Sequence, residues 1–110
     1  LIAGFVIRGT QPKTVLIRGV GPALAAFGLT GVLADPRLQL FSGTTQINEN
    51  DNATDPALAT AATRVGAFAL AAGSRDAAIL VTLQPGAYTA QVSGVGGTTG
   101  IGLVEVYEVP

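Results

Sequence analysis

Cysteine, histidine, methionine and tryptophan are all absent from this chain of 110 residues. Without cysteine no disulfide staples the fold. Without histidine or cysteine the commonest zinc ligands, the thiol nucleophile and the usual general base are missing. Charge is scarce as well. Asp, Glu, Lys and Arg make up 12% of residues, with a formal net charge of −1, against about 25% charged residues in an ordinary soluble domain. That balance leaves no basic patch for phosphates, and two Tyr and four Phe are few for stacking bases. Nucleic acid is therefore not an expected partner. No apolar run reaches the roughly 18 residues of a membrane span.

Apolar residues are abundant, at 48% of the chain, and the length suits one domain covering residues 1–110. Short β-branched runs alternate with Gly and Pro turns. Strands are expected at Leu1–Ile7, Thr14–Arg18, Leu38–Phe41, Thr45–Ile47, Ala78–Leu83, Tyr88–Val92 and Ile101–Val109. Gln84-Pro85-Gly86-Ala87 suits a type II turn, with Gly86 taking the positive φ. Two short helices fall in the connections. Pro22 opens one that Gly28 closes, and Asp55-Pro56 opens another that Gly66 closes. Seven or eight short strands so punctuated predict an all-β sandwich of immunoglobulin-like or jelly-roll type.

The terminal strands carry apolar residues on both faces. Leu1, Phe5 and Ile7 alternate with Ile2 and Val6, and Ile101, Leu103 and Tyr107 oppose Val104 and Val106. A strand apolar on both faces is normally covered on both. Either the chain's own helices and loops cover the second face, or a neighbouring subunit does, by sheet packing or strand addition. The second reading makes Leu1, Ile2, Phe5, Val6, Ile7, Ile101, Leu103, Tyr107 and Val109 an assembly interface. Scarce surface charge points the same way.

Several segments carry a family resemblance: Leu1–Ile7, Lys13–Leu24, Leu33-Ala34-Asp35-Pro36, Gly86–Gly94 and Leu103–Tyr107. Together they resemble a β-rich repeat of large secreted and cell-surface proteins in environmental bacteria, notably verrucomicrobial lineages. The block Thr14–Leu24 is the most specific part. More loosely, the second half is similar to bacterial pre-peptidase C-terminal domains, secreted sandwiches appended to enzymes. The resemblance implies a scaffolding role outside the cell or on its surface, and no catalytic residues. It also implies a polar strand ahead of Leu1, so either a longer chain supplies that strand or another copy fills the groove left open. A head-to-tail contact of that kind propagates into a filament or pilus-like fibre. Copies of itself, or adjacent repeats, are the expected partners.

The remaining signals are weaker. Gly19-Val20-Gly21 starts like a dinucleotide fingerprint, but Leu24 occupies the third glycine position, and a tight strand-to-helix corner explains it. Asn48, Asn50, Asp51 and Asp55, with Glu49 and Asn52 among them, offer the oxygens that Ca²⁺ prefers. Their spacing is not that of an EF-hand, and a solvated loop rich in Asx turns is the plainer account. Apart from that Ca²⁺ candidate no cofactor is expected. Asn52-Ala53-Thr54 is a glycosylation sequon. Arg18 and Glu105 each project from apolar strands, and a structural ion pair between them would lower the cost of burial. Asp35, Asp51, Asp55 and Asp76 could pair as acid and base, as in a glycosidase, but aromatic sugar platforms and a larger scaffold are lacking, so no enzyme is expected. A secreted carbohydrate- or Ca²⁺-dependent binding module is the alternative to a structural one.

Overall fold

Side-chain alternation and turn chemistry together set the elements. The computed structural model describes residues 1–110. Seven strands form: β1 (Ile2–Ile7), β2 (Lys13–Val20), β3 (Pro36–Ser42), β4 (Thr45–Asn50), β5 (Ala77–Leu83), β6 (Gly86–Gly94) and β7 (Leu103–Val109). They pair antiparallel into two sheets, ordered β1-β6-β3-β4 and β5-β2-β7. The expected all-β sandwich is therefore present. One helix, α1 (Pro56–Val65), and a 3₁₀ turn at Pro22–Phe27 fill the two helical connections.

The core between the sheets is built from one face of every strand except the polar β4. Ile7, Val15, Ile17, Leu38, Leu40, Ile79 and Val92 are buried there. Complete burial of a side chain such as Leu38 stabilises the fold by about 2–3 kcal/mol. The strands stack with β7 over β6, β2 over β3, and β5 over β3 and β4. Four strands thus face three, and β1 overhangs the free edge of β7.

A third layer covers the outer face of the β5-β2-β7 sheet. Leu16, Ala78, Leu80, Tyr107 and Val109 point outward and pack beneath Leu58, Ala61, Ala62 and Val65 of α1. Asp55 caps the helix by accepting the Ala57 amide at 3.0 Å, and Gly66 ends it at φ 74°. Both helix ends are satisfied locally. Alanines on the buried side let α1 lie close to the sheet.

This layer corrects part of the sequence-based interface. Tyr107 and Val109 are covered by the chain's own helix, and Phe5 and Ile7 belong to the inter-sheet core. The alternation within β1 and β7 was read in the right phase. The cover over β7 is not readable locally, because a helix about 40 residues earlier supplies it only once the chain has folded back.

Two corners differ in detail from expectation. Gly86 has φ 154° and already pairs with Ile7, so β6 begins where a type II turn would need about +80°. At Gly21 the chain passes so close to Leu33 that a Cβ would lie 2.1 Å from the Leu33 carbonyl oxygen. Gly21 thus serves close backbone approach, whereas Gly19 makes room for the Val92 side chain, 3.1 Å from where its Cβ would lie.

Candidate functional site

The two margins of the sandwich are built differently. On one side β4 and β5 end their sheets and are tied together. Asn50 Oδ1 accepts the Ala78 amide at 3.1 Å, and the Asp76 carbonyl accepts the Ala53 amide at 2.9 Å. On the other side β1 and β7 are both edge strands, and each presents unpaired backbone groups along one flank.

Between β1 and β7 lies an open groove of about 330 Å³, walled by Phe5, Val6, Ile7, Val15 and Val106. Val106 belongs to the inward-facing row of β7 that starts at Val104, yet it is 38% exposed. No strand lies beyond it to close the core. Lys13 Nζ donates to Glu108 Oε1 at 2.8 Å at one end of the groove, and Arg8 stands nearby. These charges guard an otherwise apolar slot, a common way of keeping an edge from indiscriminate pairing.

Ile2 and Val6 face outward from β1 and are 66% and 62% exposed. Beside them the outer face of that sheet turns polar, through Thr89, Gln91 and Gln39. Leu1, Ile101 and Leu103 are also exposed. Of the nine residues expected at an interface, these five are exposed; Phe5, Tyr107 and Val109 are half-buried, Phe5 in the wall of the groove, and Ile7 is buried. Val106 was missed, because the sequence shows it on a core face and cannot show that the facing layer is one strand short.

On the outer face of the second sheet, β2–β7 pairing sets Arg18 opposite Glu105. Arg18 Nε donates to Glu105 Oε1 at 2.8 Å, and Arg18 Nη1 donates to the Phe68 carbonyl at 2.6 Å. The guanidinium carbon lies 4.4 Å from the centre of the Phe68 ring. The Tyr107 hydroxyl donates to Glu105 Oε2 at 2.5 Å. That hydrogen bond, then burial, then the negative charge of Glu105 push the Tyr107 phenol above its ordinary pKa, while Arg18 opposes the shift. The arrangement is a structural ion pair, with no nucleophile beside it.

The segment expected as a polar loop is in part strand, since β4 runs on through Asn50, and its oxygens are taken up within the fold. Asn48 Oδ1 accepts the Glu49 amide, Asp51 Oδ1 accepts from Asn52 Nδ2, and Asn50 and Asp55 are engaged as described above. No group of three or more acidic, histidine or cysteine side chains gathers as a metal site. Asn52 is exposed. Asp76 is committed to the corner after β2, where its Oδ1 accepts the Gly21 and Ala23 amides at 2.8 and 3.3 Å. Asp35 pairs loosely with Arg75 at 3.7 Å. Each of the four aspartates is thus engaged in a separate contact of the fold. No helix is long and apolar enough to cross a membrane.

Comparison of the chain with protein-family models, with curated proteins and with solved structures returned no match.

Proposed function

We propose that this chain is a structural module of a bacterial surface or extracellular fibre, joined to copies of itself by strand addition in the slot beside β7. One observation carries the reading: β1 overhangs a sheet that is one strand short, leaving Val106 and the free edge of β7 beside an apolar groove. An extended segment from a neighbouring subunit or repeat would pair with the β7 backbone. Its alternate side chains would cover Phe5 and Val106 from below β1. Such a contact joins unlike surfaces, so it propagates wherever its rotation does not close a ring. The extracellular part of the reading rests on the resemblance of Thr14–Leu24 and its companion segments to secreted bacterial repeats.

The test is sedimentation velocity across a wide concentration range, with electron microscopy of the same samples. Chains of copies are expected, and Val106→Lys should return them to monomers without loss of the β-sheet circular dichroism. A monodisperse monomer of the unmodified chain at the highest concentration would overturn the proposal.

A further inference from the structure

Six side chains of this chain are basic, and five of them have a partner. Lys13 pairs with Glu108, Arg18 with Glu105, Arg37 with Glu49, and Arg75 loosely with Asp35. Arg64 donates to the Pro110 carbonyl. Arg8 alone makes neither an ion pair nor a side-chain hydrogen bond, and it stands exposed just past the end of β1.

Arg8 also lines the β1–β7 groove, with Lys13 and Glu108. An exposed arginine is ordinarily satisfied by water. A segment laid against β7 beneath β1 would take part of that water away, and a charge so covered is costly unless it is paired. Strand addition in this slot therefore sets a requirement on the segment that enters.

Charge decides what the requirement is. Glu108 is already held by Lys13 at 2.8 Å, so the groove is left with one positive charge in excess. A lysine or arginine brought to that end would double the excess, and a wholly apolar segment would leave Arg8 covered and unpaired. A carboxylate balances the charge and suits the forked donors of a guanidinium. The rest of the lining, Phe5, Val6, Ile7, Val15 and Val106, calls for apolar side chains, which a strand presents to one face at every second position. Resting on the strand-addition reading, we propose that the segment received beside β7 is acidic at its Arg8 end. It is a strand of a neighbouring module whose inward face carries apolar side chains and then an aspartate or glutamate.

The test is a titration of the ¹⁵N-labelled chain, kept dilute enough to sediment as a monomer, with the peptide Glu-Thr-Val-Thr-Val-Thr-Glu capped at both ends. Its symmetric pattern places one Glu beside Arg8 whichever way the strand runs. Two companion peptides carry Gln or Lys in place of both Glu residues. Saturable shifts are expected for the Val104 and Val106 amides. The Glu peptide should bind about fivefold more tightly than the Gln peptide at low salt, and the Lys peptide most weakly. Arg8→Gln should erase the preference for Glu over Gln, and Arg8→Lys should retain it. Arg8 is exposed, so neither change threatens the fold. Equal binding of the three peptides, or a Glu preference that survives in Arg8→Gln, would overturn this proposal and leave strand addition standing. No shift at Val104 or Val106 with any peptide would overturn both.

Discussion

Asn50, the last residue of β4, reaches across to the other sheet, and its Oδ1 accepts the amide of Ala78 in β5 at 3.1 Å. This side chain does the work of a ladder bond between sheets that share no ladder. It closes one margin of the sandwich, while the β1–β7 margin stays open.

Asn50→Ala should therefore cost stability out of proportion to its place at the end of a polar edge strand. The Ala78 amide would be left buried without an acceptor, a loss of about 1–3 kcal/mol. Asn48→Ala, whose Oδ1 serves only the adjacent Glu49 amide, should cost less than about 0.5 kcal/mol. Urea unfolding of the two variants makes the comparison, and equal losses would remove the role given to Asn50.

The Arg18–Glu105 pair gives a second test. Removing one partner leaves the other charge buried, so Arg18→Met alone should destabilise the chain by about 3 kcal/mol or more. Combining Arg18→Met with Glu105→Leu removes both charges and should recover much of that loss. A double variant no more stable than the single one would show that packing, rather than charge, holds this site.

Tyr107 makes stability depend on alkaline pH. Its phenol pKa is raised above 10.0 in the folded chain, chiefly by the hydrogen bond to Glu105. Below that value both states keep the proton and the stabilisation is complete. As pH rises from there through the folded value, the unfolded chain gives up its proton first and the stabilisation is lost. Tyr107→Phe should flatten this alkaline decline relative to the unmodified chain, as read by thermal melts between pH 8 and 11. Parallel declines in the two proteins would contradict it.

Gly21→Ala should be among the most damaging single-methyl changes available. Its Cβ would fall 2.1 Å from the Leu33 carbonyl oxygen, an atom of the backbone that cannot swing aside. A loss of about 3 kcal/mol is expected from overpacking of this severity. Gly4→Ala meets nothing closer than 3.9 Å and should cost far less. Chemical denaturation of both variants checks the contrast.

Local chemistry made most elements readable before any tertiary structure. β-branched runs marked β2, β5 and β7, and Asp55-Pro56 with Gly66 bracketed α1 nearly to the residue. The face assignments within β1 and β7 followed from the two-residue period of a strand. The corner between β5 and β6 is less readable, since Gly86 can serve a turn or a strand start equally well.

What covers each face was not readable, because covering depends on contacts far apart along the chain. Arg18 and Glu105 are separated by 87 residues, and only the β2–β7 register brings them together. The same holds for α1 lying over Tyr107, and for the open slot beside Val106. Sequence by itself determined which segments are strands and which way their side chains alternate, since both are set within a few bonds. Tertiary structure alone decided which apolar face is hidden by the chain's own helix and which is left bare. That choice depends on how four strands are laid over three, a relation that no single segment contains.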